Sequence, residues 1–224
     1  MHADNKMIVK IYTELHGTNS YLCFRSSKSR KSNSLFLPMS LVDMLSERKN
    51  KGNLDYVKEI KTLSTIQLGE YDMASSSVCL FLNEILYKLL ANAGEDKSLF
   101  EFLFSSLHQF FTQKFIPDFH LRFLTALMRE LGSSPENNYA QGMIFSIEKS
   151  CFIHDASAKE DEQTLGFHVH SLLKQGLFPS NQADIIPYVW RNLLLDTILD
   201  YYSFHITDLF QIKSHEILKT VLHS

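Results

Sequence analysis

Clustered basic side chains near the N-terminus are the residues of this sequence best suited to binding chemistry. Four cations, Arg25, Lys28, Arg30 and Lys31, fall within seven residues and are separated by serines. Cations presented together bind phosphate, because each contact releases counterions from a polyanion. Further cations lie on the preceding apolar segment and the next polar turn: Lys10, Arg48, Lys49 and Lys51. The pattern predicts a DNA-binding surface; the alternative is a loop whose charges are only solvated.

Nearby aromatic residues and the overall distribution of charge favour the binding interpretation. Tyr12, Tyr21 and Phe24 are close in sequence to the cations and could stack on unpaired bases. Residues 1–69 hold 11 Lys+Arg and 6 Asp+Glu (+5), and residues 70–224 hold 11 and 19 (−8), which together give the net charge of −3. A basic first third followed by an acidic remainder predicts two parts with different partners.

Histidine and cysteine residues offer one possible metal-binding arrangement. Cys151 and His154, followed by His168 and His170, could supply the two short ligand pairs that tetrahedral zinc requires. The spacing matches no recognised ligand pattern, so we interpret these residues as surface or half-buried side chains and expect no metal and no cofactor. A hydrolase or metal enzyme built on His154, His168 and His170 remains the alternative.

Acid–base chemistry has weaker support. Asp196 and Asp200 share a face of a predicted helix but lie away from its apolar stripe, which favours a solvated face. Asp118 precedes an apolar run and is interpreted as the start of a helix, where an anionic side chain is favourable. The sequence contains no Gly-rich phosphate loop, dinucleotide fingerprint, Gly-x-Ser-x-Gly elbow or His-Glu-x-x-His motif. We therefore predict no catalytic residues.

The elements that must position the cations have the pattern of a small β domain. Its predicted strands are Lys6–Tyr12, Ser20–Arg25, Leu35–Leu45 and Tyr56–Leu63. Pro38 lies inside the third of these, which predicts an edge position or a bulge. Short strands at regular spacing, with turns between them, are typical of a small barrel or sandwich.

Apolar residues from about Met73 onward recur at three and four positions, which predicts helices. The first three should form an antiparallel bundle, the third of them starting at Pro117–Asp118 and ending at Gly132. A short hairpin is predicted from Met143–Ile147 and Ser150–Ile153. The expected fold class is thus α+β, with an OB-like β domain over residues 1–68 and an α-helical domain over residues 69–224.

Cysteine content and hydropathy indicate the compartment. Three widely separated cysteines argue against a disulfide framework. No apolar run is long enough to span a membrane, and the first residues lack the layout of a signal peptide. We expect a cytoplasmic protein that does not bind membranes.

Several segments, taken in order, resemble the RecO family of recombination mediators in its Bacteroidetes-like form. In the first third these are Met7–Gly17, Ser20–Leu22, the basic Arg25–Lys31 loop, Leu35–Leu41 and Tyr56–Lys61. In the remainder they are Phe119–Leu124, Leu131-Gly132, Pro135, Asn137–Tyr139, Tyr201–Ile206 and Gln211–Leu218. No single segment is a sharp motif; the order and spacing carry the resemblance, which extends over nearly the whole chain.

The resemblance implies an OB-fold N-terminal domain followed by a helical domain, without catalytic residues. It also implies binding to single- and double-stranded DNA, strand annealing and help in loading recombinase. The partners it implies are RecR and the acidic C-terminal tail of single-stranded-DNA-binding protein. That tail should bind an apolar groove flanked by the cations Lys114, Arg122 and Arg129. The competing hypothesis is a helical protein-interaction module that does not bind DNA.

Two departures from the family pattern carry expectations of their own. Many RecO proteins have a four-cysteine zinc module in the segment that corresponds to Asn137–His154, where this chain has only Cys151. We therefore expect that segment to fold without zinc. The family also begins with a strand upstream of Lys6–Tyr12, so we expect a barrel that lacks its first strand and leaves an unpaired edge.

Overall fold

The chain folds into two compact units, Met1–Lys114 and Phe115–Ser224. A computed structural model describes residues 6–24, 37–47, 54–64, 73–179, 181, 184–206 and 212–222.

The first unit is built on a four-stranded sheet. Its strands are β1 (Lys6–Thr13), β2 (Gly17–Phe24), β3 (Leu41–Glu47) and β4 (Asp55–Ser64). Their spatial order is β1-β2-β4-β3. The pairs β1/β2 and β3/β4 are antiparallel, and β2/β4 is parallel. Among the described residues β1 pairs only with β2 and β3 only with β4, so the sheet is open.

Alternation along β2 and β4 builds the core of this sheet. Tyr21, Cys23 and Val57 are buried together, while Phe24 on the opposite face of β2 is 57% exposed. This is the period of two expected of a half-buried strand. Pro38 lies in the turn that precedes the edge strand β3 rather than within the strand, because its ring cannot donate to a ladder. β3 and β4 pair with two register shifts, which bend the edge.

Two helices complete the described part of the first unit. Helix α1 (Met73–Leu89) buries the stripe that includes Val78, Leu82 and Ile85. Helix α2 (Lys97–Thr112) buries Leu99, Leu103, Leu107 and Phe110. The carboxylate of Asp96 caps α2 by accepting a hydrogen bond from Leu99 N at 2.9 Å.

Gly17 lies where the β1–β2 turn meets the loop that follows α1. Its φ is +62°, and a Cβ there would lie 2.3 Å from the carbonyl oxygens of Ala93 and Gly94. The neighbouring Thr18 N donates to Ala93 O at 2.9 Å, which holds the two segments together. Only glycine satisfies both the backbone conformation and the close approach.

Gly17→Ala should therefore destabilise the protein by more than the matched change Gly132→Ala. Gly132 also has a left-handed φ, +68°, but a Cβ there would meet nothing within 4 Å. We expect Gly132→Ala to cost roughly 1–2 kcal/mol for the backbone conformation, and Gly17→Ala to cost this plus the steric overlap. Chemical denaturation followed by circular dichroism measures both, and equal losses would contradict the close approach.

The second unit is helical with one short hairpin. Its helices are α3 (Phe119–Glu130), α4 (Glu160–Lys174), α5 (Tyr188–His205) and α6 (Ser214–Leu222). Its hairpin pairs β5 (Ile144–Ser146) with β6 (Cys151–Ile153). Helices α3, α4 and α5 contact one another. β5 packs against α4 at Gly166, where a Cβ would come within 2.6 Å of Met143 O.

The expected α+β class is confirmed: a sheet precedes the helices. The three-helix bundle is wrong, because α3 belongs to the second unit and packs on α4 and α5. The predicted domain limits, residues 1–68 and 69–224, stay a prediction. The compact units of the structure divide at a different place, after Lys114. No described helix is both long and apolar enough to cross a membrane.

Candidate nucleic-acid interface

Lys10 is the member of the predicted DNA-binding set that lies within the described residues. The seven others, Arg25, Lys28, Arg30, Lys31, Arg48, Lys49 and Lys51, lie outside them. The Lys10 side chain is exposed on β1, and its Nζ is 4.9 Å from the ring centroid of Tyr87 on α1. This is a cation–π contact, and it holds the ammonium group beside an aromatic surface.

The three aromatic residues predicted to stack on bases have different surroundings. Tyr21 is 1% exposed in the sheet core and therefore cannot contact a base, because the β2 alternation turns it inward. Phe24 faces outward from the same strand. Tyr12 is partly exposed, and its pKa is raised by burial and by the carboxylate of Asp96.

A depression of about 200 Å³ in the first unit lies beside Lys10 and Tyr12. Its floor is apolar and includes Leu86, Leu103 and Leu107 from the two helices. Its aromatic lining comes from Tyr87, Phe100 and Phe104. Sequence analysis missed these three rings, although Tyr87 lies off the buried stripe of α1 and is 62% exposed. An aromatic residue on the polar face of a regular amphipathic helix is the sequence feature that could have indicated this lining.

Arg122 does not flank a groove as predicted. Its guanidinium is buried, with Nε and Nη2 each 3.0 Å from Asp118 Oδ2. The remaining N–H groups donate to Gln175 Oε1 and to the carbonyl oxygens of Gly176 and Asp184. Four hydrogen bonds and the ion pair with Asp118 thus engage the buried guanidinium within this chain, so it is not available to a partner.

Asp118 is the N-cap residue of α3, which confirms it as the start of a helix, and its side chain is the centre of this buried network. Its Oδ2 also accepts a hydrogen bond from Ile186 N at 2.8 Å, and its side chain makes no cap hydrogen bond to α3. His120 lies two residues further along the chain, at the start of α3. Its pKa is lowered to about 3, mainly by burial and then by the charge of Arg191. That imidazole is therefore neutral at physiological pH, which excludes it as a cationic contact.

The other two cations predicted for a partner tail have different positions. Arg129 is exposed on α3, and its Nη2 donates to Leu173 O at 3.0 Å. Lys114 is exposed at the last residue of the first unit. Both side chains are accessible, so their role in binding a partner stays a prediction.

Two of the four metal-ligand candidates, His168 and His170, form packing contacts. His170 stacks on Tyr139 with ring centroids 4.7 Å apart, and its Nδ1 lies 2.7 Å from Asn137 Oδ1. His168 is buried against Trp190. Within the described part of the chain no three His, Cys, Asp or Glu side chains are grouped as metal ligands. The segment 137–154, in which the resemblance implied a zinc module, thus presents no ligand set for zinc among its described residues.

Hydrogen bonds hold the segment 137–154 in place. Asn138 Nδ2 donates to Phe152 O at 3.2 Å, and Phe152 N donates to Asn138 Oδ1 at 2.8 Å. Ser150 Oγ lies 2.6 Å from Tyr201 OH, which in turn donates to Ser133 O. Side chains of the second unit therefore fix the β5–β6 hairpin.

Asn138→Leu should open the hairpin locally. Asn138 is itself exposed, but its two hydrogen bonds go to the backbone of the buried Phe152, and their loss is expected to lower the local opening free energy by about 1–3 kcal/mol. Hydrogen exchange at the Phe152 amide is the measurement. Asn138→Asp is the control, because it keeps the acceptor for Phe152 N and should retain more protection. Equal protection of wild type and Asn138→Leu would show that this clamp does not hold the hairpin.

An open β-sheet followed by helices defines an α+β protein with an OB-like first domain. The family model for the N-terminal domain of recombination protein O matches residues 1–66, and the model for the C-terminal domain of recombination protein O matches residues 70–208. Together they match most of the sequence, and the chain belongs to the RecO family. The expected family and fold class are thereby confirmed.

Similar proteins support the same assignment. A protein from Azobacteroides pseudotrichonymphae is 32% identical over 97% of this chain and 92% of its own length. Proteins from Bacteroides fragilis and Flavobacterium psychrophilum are 31% and 28% identical, over 96% and 98% of this chain and 92% and 93% of theirs. Each is named DNA repair protein RecO.

Proposed function

We propose that this chain is a non-catalytic mediator of DNA repair and recombination. It binds single- and double-stranded DNA, anneals complementary strands and, with RecR, helps load recombinase. The observation that carries the proposal is membership of the RecO family over both domain models. The basic cluster in the first third supports the DNA-binding part independently of that likeness.

Phosphate contacts are assigned to the eight predicted cations. Lys10 supports this assignment, because its exposed ammonium group lies beside aromatic side chains on the surface of the first unit. The contacts would be to the backbone of the nucleic acid and therefore independent of sequence. The protein would act in the cytoplasm, where its substrate is present.

Two protein partners complete the proposal: RecR and the acidic C-terminal tail of single-stranded-DNA-binding protein. Of the three cations predicted for the tail, Lys114 and Arg129 are accessible and are retained, whereas Arg122 is not. Removing the charge of Lys114 or Arg129 should weaken binding of an acidic peptide more at low salt than at high salt, since exposed pairs are screened.

Annealing of complementary strands coated with single-stranded-DNA-binding protein tests the proposal. Donor and acceptor dyes on the two strands report duplex formation, and non-complementary strands are the control. We expect this chain to accelerate annealing. Absence of acceleration, together with retained binding to RecR, would instead favour a protein-interaction module that does not act on DNA.

A further inference from the structure

A row of aromatic rings runs along one side of α2 in the first unit. The centroid distances are 6.2 Å from Tyr12 to Phe100, 6.0 Å from Phe100 to Phe104 and 6.4 Å from Phe104 to His108. The interplanar angle falls along the row from 38° to 26° and then 15°. Neighbouring rings thus become more nearly parallel along the row, and the three rings of α2 succeed one another at about one helical turn.

This aromatic row is distinct from the buried stripe of the helix. The stripe is formed by Leu99, Leu103, Leu107 and Phe110. Phe100 and Phe104 are each one residue further along and only partly buried, and His108 is exposed. A row that only filled the core would be buried along its whole length, whereas this row runs from the depression to the exposed His108. Part of the row is thus accessible to a ligand.

The surroundings of the row contain a cation and an unused hydroxyl group. Lys10 and Tyr12 are two residues apart on β1 and so lie on the same face of the strand. The Lys10 ammonium group lies at the edge of the depression, against Tyr87. Thr18 Oγ1, also in the lining, is buried and has no hydrogen-bond partner among the described residues.

Two acidic groups near the row have partners in α2, and the charge of one of them, Asp96, also raises the pKa of Tyr12. Asp96 caps the helix, and Glu101 lies 3.8 Å from Lys97. The surface therefore offers aromatic faces, one ammonium group and a hydroxyl group to a ligand that carries negative charge. Bases of single-stranded nucleic acid suit this combination, because aromatic stacking tolerates any base and a cation contacts the backbone.

We propose that Tyr12, Phe100, Phe104 and His108 form a stacking surface for the bases of single-stranded nucleic acid, with Lys10 at the phosphate. This inference rests on the proposed DNA-binding function and names the surface that receives unpaired bases. An acidic peptide with an apolar end would also suit Lys10 and the depression. The repeated rings favour several flat bases over one anchored side chain.

The test compares oligomers that share a backbone but differ in their bases. Fluorescence anisotropy measures the affinity of the full chain for labelled oligo-dT and for a matched abasic oligomer. We expect Phe100→Leu/Phe104→Leu to bind oligo-dT about five- to 100-fold more weakly, since stacking on these rings is lost. Its binding to the abasic oligomer should be unchanged. Phe102→Leu, on the same helix but outside the row, is the control. Oligo-rU in a parallel titration distinguishes RNA from DNA.

A second variant reports contact directly and does not depend on removing a ring. Phe104→Trp keeps an aromatic face, and the chain contains one other tryptophan, Trp190 in the second unit. We expect oligo-dT to quench the added fluorescence relative to wild type. Unchanged fluorescence, while anisotropy shows that oligo-dT is bound, would overturn the stacking surface and leave the proposed function standing.

Two further outcomes separate this inference from the proposed function. Absence of DNA binding by the wild-type chain would overturn both. If Phe100→Leu/Phe104→Leu binds oligo-dT normally but no longer binds an acidic peptide, the row belongs to a protein partner and the inference fails.

Discussion

Replacing Arg122 with methionine should lower the free energy of unfolding of the second unit by about 3–5 kcal/mol, the usual cost of removing one partner from a buried ion pair. The loss arises because Asp118 would remain charged and buried. The acceptors at Gln175, Gly176 and Asp184 would also lose their donors. Trp190, the one tryptophan of the chain, lies in the second unit and reports its unfolding in denaturant.

The exposed pair Lys97–Glu101 is the matched control for this experiment. It has the same i,i+4 spacing on a helix, but both side chains are mainly exposed. Lys97→Ala should cost only about 0.3–0.5 kcal/mol, and circular dichroism follows its unfolding because Lys97 lies in the first unit. The double variant Asp118→Leu/Arg122→Met should recover part of the loss, because neither charge is then left alone. A loss from Arg122→Met as small as that of the control would contradict the buried network.

The salt dependence of DNA binding should change when Arg25, Lys28, Arg30 and Lys31 are replaced together by alanine. Each phosphate neutralised on a single strand contributes about 0.7 to the slope of log affinity against log salt, so four contacts account for about 3. We therefore expect a flatter slope and weaker binding at low salt, to a similar extent for different sequences. Anisotropy of a labelled single strand over a salt series measures both quantities.

Charge-matched changes in the second unit control for the altered net charge. Replacing Lys149, Lys159, Lys174 and Lys213 by alanine removes the same number of cations. We expect these changes to leave the slope nearly intact, because the proposed phosphate contacts lie in the first third of the chain. Equal flattening by the two sets would mean that net charge, and not the basic cluster, determines binding.

Local periodicity predicted the secondary structure of this protein well. The buried face of an element is determined by residues that are close in sequence. The alternation in β2 and the three- and four-residue spacing in α1 and α2 therefore identified these elements. Pairing between distant strands does not follow from such patterns. The position of β4 between β2 and β3 was therefore not predicted.

The candidate site was predicted less completely because it is assembled from separate elements. Asp118 and Arg122 have the spacing of a helical ion pair, which was visible in the sequence. The burial of this ion pair depends on Gln175, Gly176 and Asp184, which lie more than fifty residues from Arg122. No local sequence pattern predicts that these residues meet. The aromatic row likewise joins Tyr12 of β1 to three residues of α2, a contact that only the tertiary structure supplies.

The central claim is that the first third of the chain holds the nucleic acid, and photocrosslinking tests it most directly. A single strand containing a photoreactive thymine analogue is bound to the full chain, irradiated and digested, and the crosslinked peptides are identified by mass spectrometry. We predict that they come from residues 1–69, which include the basic cluster, and from the aromatic row on α2. Crosslinks confined to residues 115–224 would contradict the claim.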